Sequence, residues 1–153
     1  MMDYVEEALE ILAKAKERFR PKLTLGLFSR GNDSTALLHL VKDEVDAAIH
    51  IRTGIGIEST FEHVQETCKA WQMPLIVLET QKDVYRKIVL GPGKNGFLGP
   101  NLHYIAYHRL KKQRLQNLER DWSKRGQTLL LVSGIRSKES SRRMKGIAKN
   151  EYE

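Results

Sequence analysis

The chain has 153 residues, of which 41% are hydrophobic and 29% are charged. This balance supports one folded domain with its own core and is not typical of a disordered chain. No apolar stretch approaches the roughly 20 residues that span a bilayer, and the acidic start at residues 3–7 is unlike a signal peptide. The single cysteine, Cys68, excludes an internal disulfide framework and a multi-cysteine zinc or iron–sulfur site within one chain. We therefore expect a cytoplasmic protein without membrane contact, whose net charge of +7 favours anionic partners.

Apolar periodicity and turn residues predict alternating helices and strands along the chain. The predicted helices cover residues 4–19, 33–42, 59–71, 83–90 and 103–124. The predicted strands cover residues 23–28, 47–51, 74–78 and 128–132, and each is a short apolar run. Such strands separated by helices are typical of a parallel sheet that is covered on both faces. The sequence therefore predicts a single three-layer α/β/α domain over residues 1–153, with a mostly parallel, Rossmann-like sheet.

The strongest functional signal is the turn between the first predicted strand and the next helix. Its sequence is Ser29-Arg30-Gly31-Asn32-Asp33-Ser34-Thr35. Backbone N–H groups at a helix start, together with serine and threonine hydroxyls, are suited to bind a phosphate or pyrophosphate. The spacing differs from the Gly-x-x-x-x-Gly-Lys loop of ordinary phosphate-loop NTPases. The alternative is a simple capping turn with Asp33 or Ser34 as the N-cap residue, and the turn alone does not decide between the two.

Four segments, in order along the chain, resemble motifs of the adenine nucleotide alpha-hydrolases, specifically those of the phosphoadenylyl-sulfate (PAPS) reductase branch. Residues 29–34 resemble the Ser-Gly-Gly-x-Asp-Ser pyrophosphate loop of that family. Residues 53–57, Thr-Gly-Ile-Gly-Ile, resemble its Thr-Gly-Ile motif. Residues 96–111 contain Gly-Phe-Leu-Gly-Pro, then His-Tyr and Leu-Lys, and resemble its Gly-Phe-Pro…His…Leu-Lys segment. Residues 134–143 resemble its Gly-Ile-Arg-x-x-Glu-Ser-x-Arg signature, so the resemblance spans about residues 22–143.

The resemblance implies a HUP-type, Rossmann-like fold and membership of the PP-loop ATP pyrophosphatase superfamily. The implied ligand is an adenine nucleotide, either ATP or a sulfonucleotide such as PAPS or APS, with Mg²⁺ offsetting the phosphate charge. The implied reaction lies at the nucleotide α-phosphate, where ATP is cleaved to an adenylylated product and pyrophosphate. The single cysteine leaves no ligand set for an iron–sulfur cluster. The acceptor substrate is not identified by the residues.

The site residues implied by the resemblance lie mostly just after predicted strands, where ligands bind in such sheets. Those implied to bind the nucleotide are the loop residues 29–35 together with Thr53, Gly54, His103, Arg136, Glu139, Arg142 and Arg143. Ser34, Lys111 and Arg136 are the candidate catalytic residues, because each can donate a hydrogen bond to a developing negative charge. Guanidinium groups match phosphate oxygens well. The alternative for the arginines is a solvated basic tail.

Several departures from the family pattern bear on the reaction. Arg30 replaces the first glycine of the loop, Arg52 stands where many sulfonucleotide reductases have aspartate, and Ala106 stands where related members often have a cysteine. The reductases' Glu-Cys-Gly motif has no counterpart, so PAPS reduction by this chain alone is not expected. Two alternatives to adenylyl transfer stay open. One is sulfonucleotide chemistry with a thiol from a partner, and the other is a non-catalytic nucleotide-binding subunit of a nucleic-acid sulfur-modification or phage-defence assembly.

The remaining charged and metal-ligating residues give weaker signals. Residues 109–125 carry seven basic and two acidic side chains, which suits either nucleic-acid phosphates or a solvated helix face. Nucleic acid, a partner protein and a second copy of the chain therefore remain open as partners. The five histidines show no spacing typical of metal ligands, so no metal site is predicted, and His50 is interpreted as a hydrogen-bonded core or edge residue. Cys68 is interpreted as a buried hydrophobic side chain.

Overall fold

The computed structural model describes residues 4–91, 96–100 and 103–134. Its strands are β1 (Leu23–Leu27), β2 (Ala47–Arg52), β3 (Leu75–Glu79) and β4 (Leu129–Val132). Its helices are α1 (Tyr4–Phe19), α2 (Asn32–Leu40), α3 (Glu58–Ala70), α4 (Val84–Leu90), α5 (His103–Tyr107) and α6 (Gln113–Lys124). A π-helical turn, His108–Lys112, joins α5 to α6. The predicted alternation of helices and strands is confirmed.

The four strands form one parallel sheet in the order β3-β2-β1-β4. Leu25 of β1 lies opposite Ala47 of β2 on one side and Leu131 of β4 on the other, and Ile49 of β2 lies opposite Ile76 of β3. The first three strands therefore follow one another across the sheet from β1 to β3, and β4 then pairs with the opposite edge of β1. This reversal creates the crevice at which α/β sheets bind ligands, at the carboxyl ends of β1 and β4.

Two hydrophobic clusters cover the two faces of the sheet and confirm the three-layer arrangement. The first cluster joins strand residues to α2 and α3, and its buried members are Phe28, Leu38, Ala48, Val64, Cys68 and Met73. The second joins the sheet to α6, and its members include Leu25, Ala47, Ile49, Leu115 and Leu118. Cys68 is 2% exposed, as predicted, and its burial raises the pKa of the thiol.

The predicted helix starts are slightly wrong at α2 and α3. Helix α2 begins at Asn32, and its N-cap residue is Gly31, which makes no side-chain capping bond. The alternative in which Asp33 or Ser34 caps this helix is therefore wrong, because both residues lie in its first turn. Helix α3 begins at Glu58, one residue before the predicted start.

The long helix predicted over residues 103–124 has its expected bounds but is not uniform, because the π-helical turn interrupts it. Hydrophobic periodicity does not reveal one wide turn inside a long polar helix. Within the described residues, no helix combines the length and the apolar character needed to cross a bilayer.

Gly26 sets the distance between β1 and α2. A Cβ atom at this position would clash with Cδ1 of Leu38, and Leu38 is 1% exposed. Since a fully buried leucine has little room to move, the absence of a side chain at Gly26 lets α2 pack directly on the sheet.

We expect Gly26→Ala to lower the free energy of unfolding by about 1–3 kcal/mol, because the added methyl group overpacks the core beside Leu38. Urea denaturation measures this change. Gly99→Ala is the matched control, since nothing lies within 4 Å of a Cβ atom built there, and it should change stability by less than about 0.5 kcal/mol. Equal effects of the two substitutions would contradict the packing argument.

Candidate functional site

A cleft of about 1060 Å³ lies at the carboxyl ends of the strands. Each strand contributes a hydroxyl-bearing residue from just beyond its end: Ser29 after β1, Thr53 after β2, Thr80 after β3 and Ser133 after β4. Because parallel strands bring their carboxyl ends to one edge of the sheet, residues far apart in sequence meet here. The cleft therefore lies where the sequence predicts the site.

The loop between β1 and α2 is held by its own hydroxyl groups. Ser34 Oγ donates a hydrogen bond of 2.9 Å to the Gly31 carbonyl and accepts one of 3.3 Å from the Ser29 N–H. The Ser29 and Ser34 hydroxyl oxygens are 3.1 Å apart, and both residues border the cleft. Thr35 Oγ1 also donates to the Gly31 carbonyl, at 2.9 Å. The loop thus fixes two hydroxyls beside the N-terminus of α2, where the helix dipole favours an anion.

The chain after β4 packs against this loop through Gly134. A Cβ atom at Gly134 would lie 2.9 Å from the carbonyl oxygen of Asp33 and 3.1 Å from its carbonyl carbon. A larger residue would therefore push the loop or the end of β4 aside. This contact joins the two sides of the crevice directly, backbone to backbone.

Arg30 lies in the loop but is directed to a different surface. Its φ angle is +68°, in the left-handed region that favours glycine. Its side chain lines a second groove, whose other residues are Asn32, Thr35, Ala36, His39, His63 and Trp71. Of the loop residues implied to bind phosphate, Ser29 and Ser34 border the cleft, whereas Arg30, Asn32 and Thr35 border this second groove.

One wall of the cleft, the helical wall, is formed by α5, the π-helical turn and α6, and it supplies the ammonium group of Lys111. Tyr107, Lys111 and Leu115 border the cleft from this side, and Lys82 borders it from the chain after β3. Among the predicted residues, Thr53 and Gly54 also border the cleft. The structure therefore brings five of the predicted site residues together, namely Ser29, Ser34, Thr53, Gly54 and Lys111.

His103, another residue implied to bind the nucleotide, is exposed and engaged elsewhere. Its Nε2–H donates to the Leu98 carbonyl at 3.0 Å. Arg136, Arg142 and Arg143, which the resemblance implies to bind phosphate, and Glu139, which it implies to bind the nucleotide, lie outside the described residues.

The end of the cleft at β2 and β3 contains a cluster of ion pairs around Arg52. Arg52 Nη2 donates to both carboxylate oxygens of Glu58, at 2.8 and 2.6 Å, and Nη1 lies 3.5 Å from Glu79 Oε1. The guanidinium also lies 4.6 Å from the ring centroid of Phe61. The hydrogen bond and charge of Glu58, with a smaller contribution from Glu79, raise the pKa of Arg52. Lys82, which follows β3, also borders this end, so two cations and two carboxylates meet here and their formal charges cancel.

His50 forms the floor between the two ends. It is 8% exposed, its Nδ1–H donates to the Phe28 carbonyl at 2.8 Å, and its ring stacks on Phe61 with 5.8 Å between ring centroids. The interpretation of His50 as a hydrogen-bonded core or edge residue is confirmed, although the residue also borders the cleft. The floor of the cleft is thus aromatic and fixed in place.

Sequence reasoning did not assign several residues that border the cleft. They are His50, Arg52, Glu58, Phe61, Glu79, Thr80, Lys82, Tyr107 and Ser133. The one feature of the sequence that could have identified some of them is their position at strand ends. Arg52 ends β2, and both Thr80 and Ser133 directly follow strands. In the described part of the chain, no group of three or more acidic, histidine or cysteine side chains is placed to hold a metal ion.

Comparisons with known proteins agree with this architecture. The family model of the phosphoadenosine phosphosulfate reductase domain matches residues 24–149, a range that contains all four segments described above. The fold is similar to the crystal structure of phosphoadenylyl-sulfate reductase from Candida auris in a phosphate complex. That similarity has a TM-score of 0.53 and 13% sequence identity, and it covers 94% of this chain and 79% of that chain. No curated protein matches the chain.

Replacing Arg30 by glycine should stabilise the protein. Left-handed backbone costs a residue with a Cβ atom about 1–2 kcal/mol, while the greater freedom of unfolded glycine offsets about 0.5–1 kcal/mol. We expect Arg30→Gly to raise the free energy of unfolding by about 0.5–1 kcal/mol in urea denaturation. Arg30→Ala keeps the Cβ atom and should give no such gain. An equal gain from alanine would show that the side chain, and not the backbone, is the source of the strain.

Gly134→Ala should disturb the loop between β1 and α2. The methyl group would contact the Asp33 backbone, so we expect a loss of about 1–3 kcal/mol in the free energy of unfolding. Gly56→Ala is the control at the same cleft, because a Cβ atom there meets only Thr53 Oγ1, at 3.9 Å. Loss of stability in both variants would contradict a specific contact at Gly134.

Proposed function

The chain belongs to the phosphoadenosine phosphosulfate reductase domain family, whose model matches most of its length, and we propose that its cleft binds an adenine nucleotide and acts at the α-phosphate. The observation that carries this proposal is the pair of hydroxyls of Ser29 and Ser34, fixed 3.1 Å apart at the start of α2. Lys111 faces the same cleft from the helical wall. Hydroxyls, a helix N-terminus and an ammonium group together suit a chain of phosphates.

The position of the loop between β1 and α2 supports one orientation of the nucleotide. Phosphates are favoured beside Ser29, Ser34 and the start of α2, where hydroxyls and the helix dipole suit an anion. The uncharged adenosine then extends along Thr53 and Gly54 toward Glu58 and Glu79. Carboxylates can accept hydrogen bonds from ribose hydroxyls or from an amino group of the base.

In the proposed reaction the loop holds the β- and γ-phosphates of ATP, and an acceptor attacks the α-phosphorus. The bond from the α-phosphorus to the bridging oxygen breaks, pyrophosphate leaves, and AMP is transferred to the acceptor. The Ser34 hydroxyl exchanges its bond to the Gly31 carbonyl for one to the nucleotide, and Ser34 and Lys111 donate to oxygens that gain negative charge. Arg136, Arg142 and Arg143 are proposed to add further donors, as the family resemblance implies. The protein's part is to position the phosphates and to stabilise charge.

Mg²⁺ suits this reaction as an ion that binds the phosphates of the nucleotide and offsets their charge. Mg²⁺ keeps several water ligands and is commonly held by substrate phosphates with one or two carboxylates. The carboxylates that border the cleft, Glu58 and Glu79, already contact Arg52. We therefore propose that most protein contacts go to the nucleotide and few to the ion.

The position of Cys68 favours adenylyl transfer over reduction by this chain alone. Sulfonucleotide reduction needs a thiolate that attacks sulfur. Cys68, the single cysteine, is packed in the core between the sheet and the helices α2 and α3, and burial raises the pKa of its thiol. A sulfonucleotide reaction at this cleft would therefore need a thiol from outside residues 1–153.

ATP binding is the first test of the proposal. At about 100 times its dissociation constant, ATP should add about 2.7 kcal/mol to the free energy of unfolding, and GTP should add less. Ser34→Ala and Lys111→Met should each weaken ATP binding by about 1–3 kcal/mol, because each removes a donor to a phosphate. Isothermal titration calorimetry measures this loss. The matched controls are Ser123→Ala and Lys112→Met, whose side chains are exposed outside the cleft.

Those two control variants should bind ATP like the wild type. If Lys112→Met weakens binding as much as Lys111→Met does, general surface charge rather than the cleft holds the nucleotide. Equal stabilisation by ATP and GTP would contradict an adenosine pocket at Thr53 and Gly54.

Product analysis with ATP labelled at the α-phosphate tests the reaction. With Mg²⁺ and candidate acceptors, we expect labelled AMP or a labelled adenylylated acceptor, and Ser34→Ala should lower the rate by about 10²–10³-fold. Release of ADP and orthophosphate would contradict attack at the α-phosphate. Tight ATP binding without turnover on any acceptor would favour the non-catalytic nucleotide-binding subunit.

A further inference from the structure

A buried hydrogen bond links the sheet to the helical wall of the cleft at Thr80. The backbone N–H of Thr80 donates to the Arg52 carbonyl at 2.9 Å, so Thr80 continues the pairing of β3 with β2. Its side-chain Oγ1 donates to the Leu110 carbonyl at 2.7 Å. Thr80 is 6% exposed and Leu110 is 4% exposed. The hydroxyl therefore connects a fixed point of the sheet to the middle of the π-helical turn.

That turn is an unusual structure within a long helix. In a π-helical turn the hydrogen bonds span five residues instead of four, and Gln113 N–H accordingly donates to the His108 carbonyl. Such turns are rare and occur frequently at functional sites. A contact from outside the helix can favour the wide turn over a regular α-helical one. Thr80 supplies such a contact, because its hydroxyl bonds a carbonyl inside the turn.

The turn also decides which side chains face the cleft. Tyr107, Lys111 and Leu115 all border it, although they are spaced four residues apart. In a uniform α-helix of 3.6 residues per turn, each fourth residue is rotated by about 40° from the previous one, so the three would spread over about 80°. A wider turn between them reduces this drift. The π-helical turn thus keeps Lys111 on the same face as Tyr107 and Leu115.

We propose that Thr80 is a positioning residue, which holds the π-helical turn through the Leu110 carbonyl and thereby keeps Lys111 directed into the cleft. The role of Lys111 toward phosphate rests on the proposed function, whereas the effect of Thr80 on the turn does not. Thr80→Val tests the role because valine keeps the shape and removes the hydroxyl. Thr80→Ser keeps the hydroxyl and serves as the rescue variant.

Amide hydrogen exchange of the nucleotide-free protein tests the turn. In Thr80→Val we expect the amides of Lys112 and Gln113 to exchange at least about tenfold faster, because local opening of the turn becomes easier. Amides of β2 should keep their wild-type rates, and Thr80→Ser should restore those of the turn. Unchanged exchange at Lys112 and Gln113 in Thr80→Val would overturn the proposal.

A measurement on the wild type covers the case in which Thr80→Val does not fold. A hydroxyl proton held in a buried hydrogen bond exchanges slowly with water, so the Thr80 hydroxyl proton should be observable by NMR. A rapidly exchanging Thr80 hydroxyl would contradict the bond on which the proposal depends.

A double-mutant cycle on ATP affinity separates positioning from a general structural role. Thr80→Val should weaken ATP binding about tenfold when Lys111 is present and less than twofold in the Lys111→Met background. An equal loss in both backgrounds would show that Thr80 does not act through Lys111 and would overturn the proposal. If the wild type does not bind ATP, the proposed function fails, and the exchange rates still decide whether Thr80 holds the turn.

Discussion

The parallel pairing of β4 with β1 is the constraint on which the site depends. It places the last described strand on the opposite side of β1 from β2 and β3, so a crevice opens at their carboxyl ends. Gly134 then packs against the Asp33 backbone and fixes the loop that starts α2. Since the Ser29 and Ser34 hydroxyls belong to that loop, sheet topology sets the position of the groups proposed to bind phosphate.

The two ends of the cleft carry different groups, and this difference favours one orientation of a bound nucleotide. One end combines hydroxyls and the start of α2, while the other contains Arg52 held by Glu58 and Glu79. The ion pairs at the second end are partly exposed, so their contribution to folding stability is small. The charges of Arg52 and Lys82 together balance those of Glu58 and Glu79, so this end offers phosphate no net attraction. A nucleotide with its charge concentrated at one end matches this pattern.

Most of the fold and part of the site follow from the sequence. Short apolar strands between amphipathic helices predicted the parallel sheet, and the loop after β1 predicted the positions of Ser29 and Ser34. The ion-pair cluster around Arg52 was missed because Arg52 and Glu79 meet only after β2 and β3 pair. The π-helical turn was missed because its stabilising partner, Thr80, lies 30 residues away from Leu110 in sequence. Both features depend on contacts between residues that are distant in sequence, and the local periodicity of a sequence does not reveal such contacts.

The most direct test of the account is a crystal structure of the protein with a non-hydrolysable ATP analogue. The account predicts that the phosphates lie within hydrogen-bonding distance of the Ser29 and Ser34 hydroxyls and of Lys111 Nζ, with adenosine extending toward Thr53 and Gly54. Phosphates bound instead in the groove beside Arg30, His39 and His63, with the cleft free of nucleotide, would contradict it.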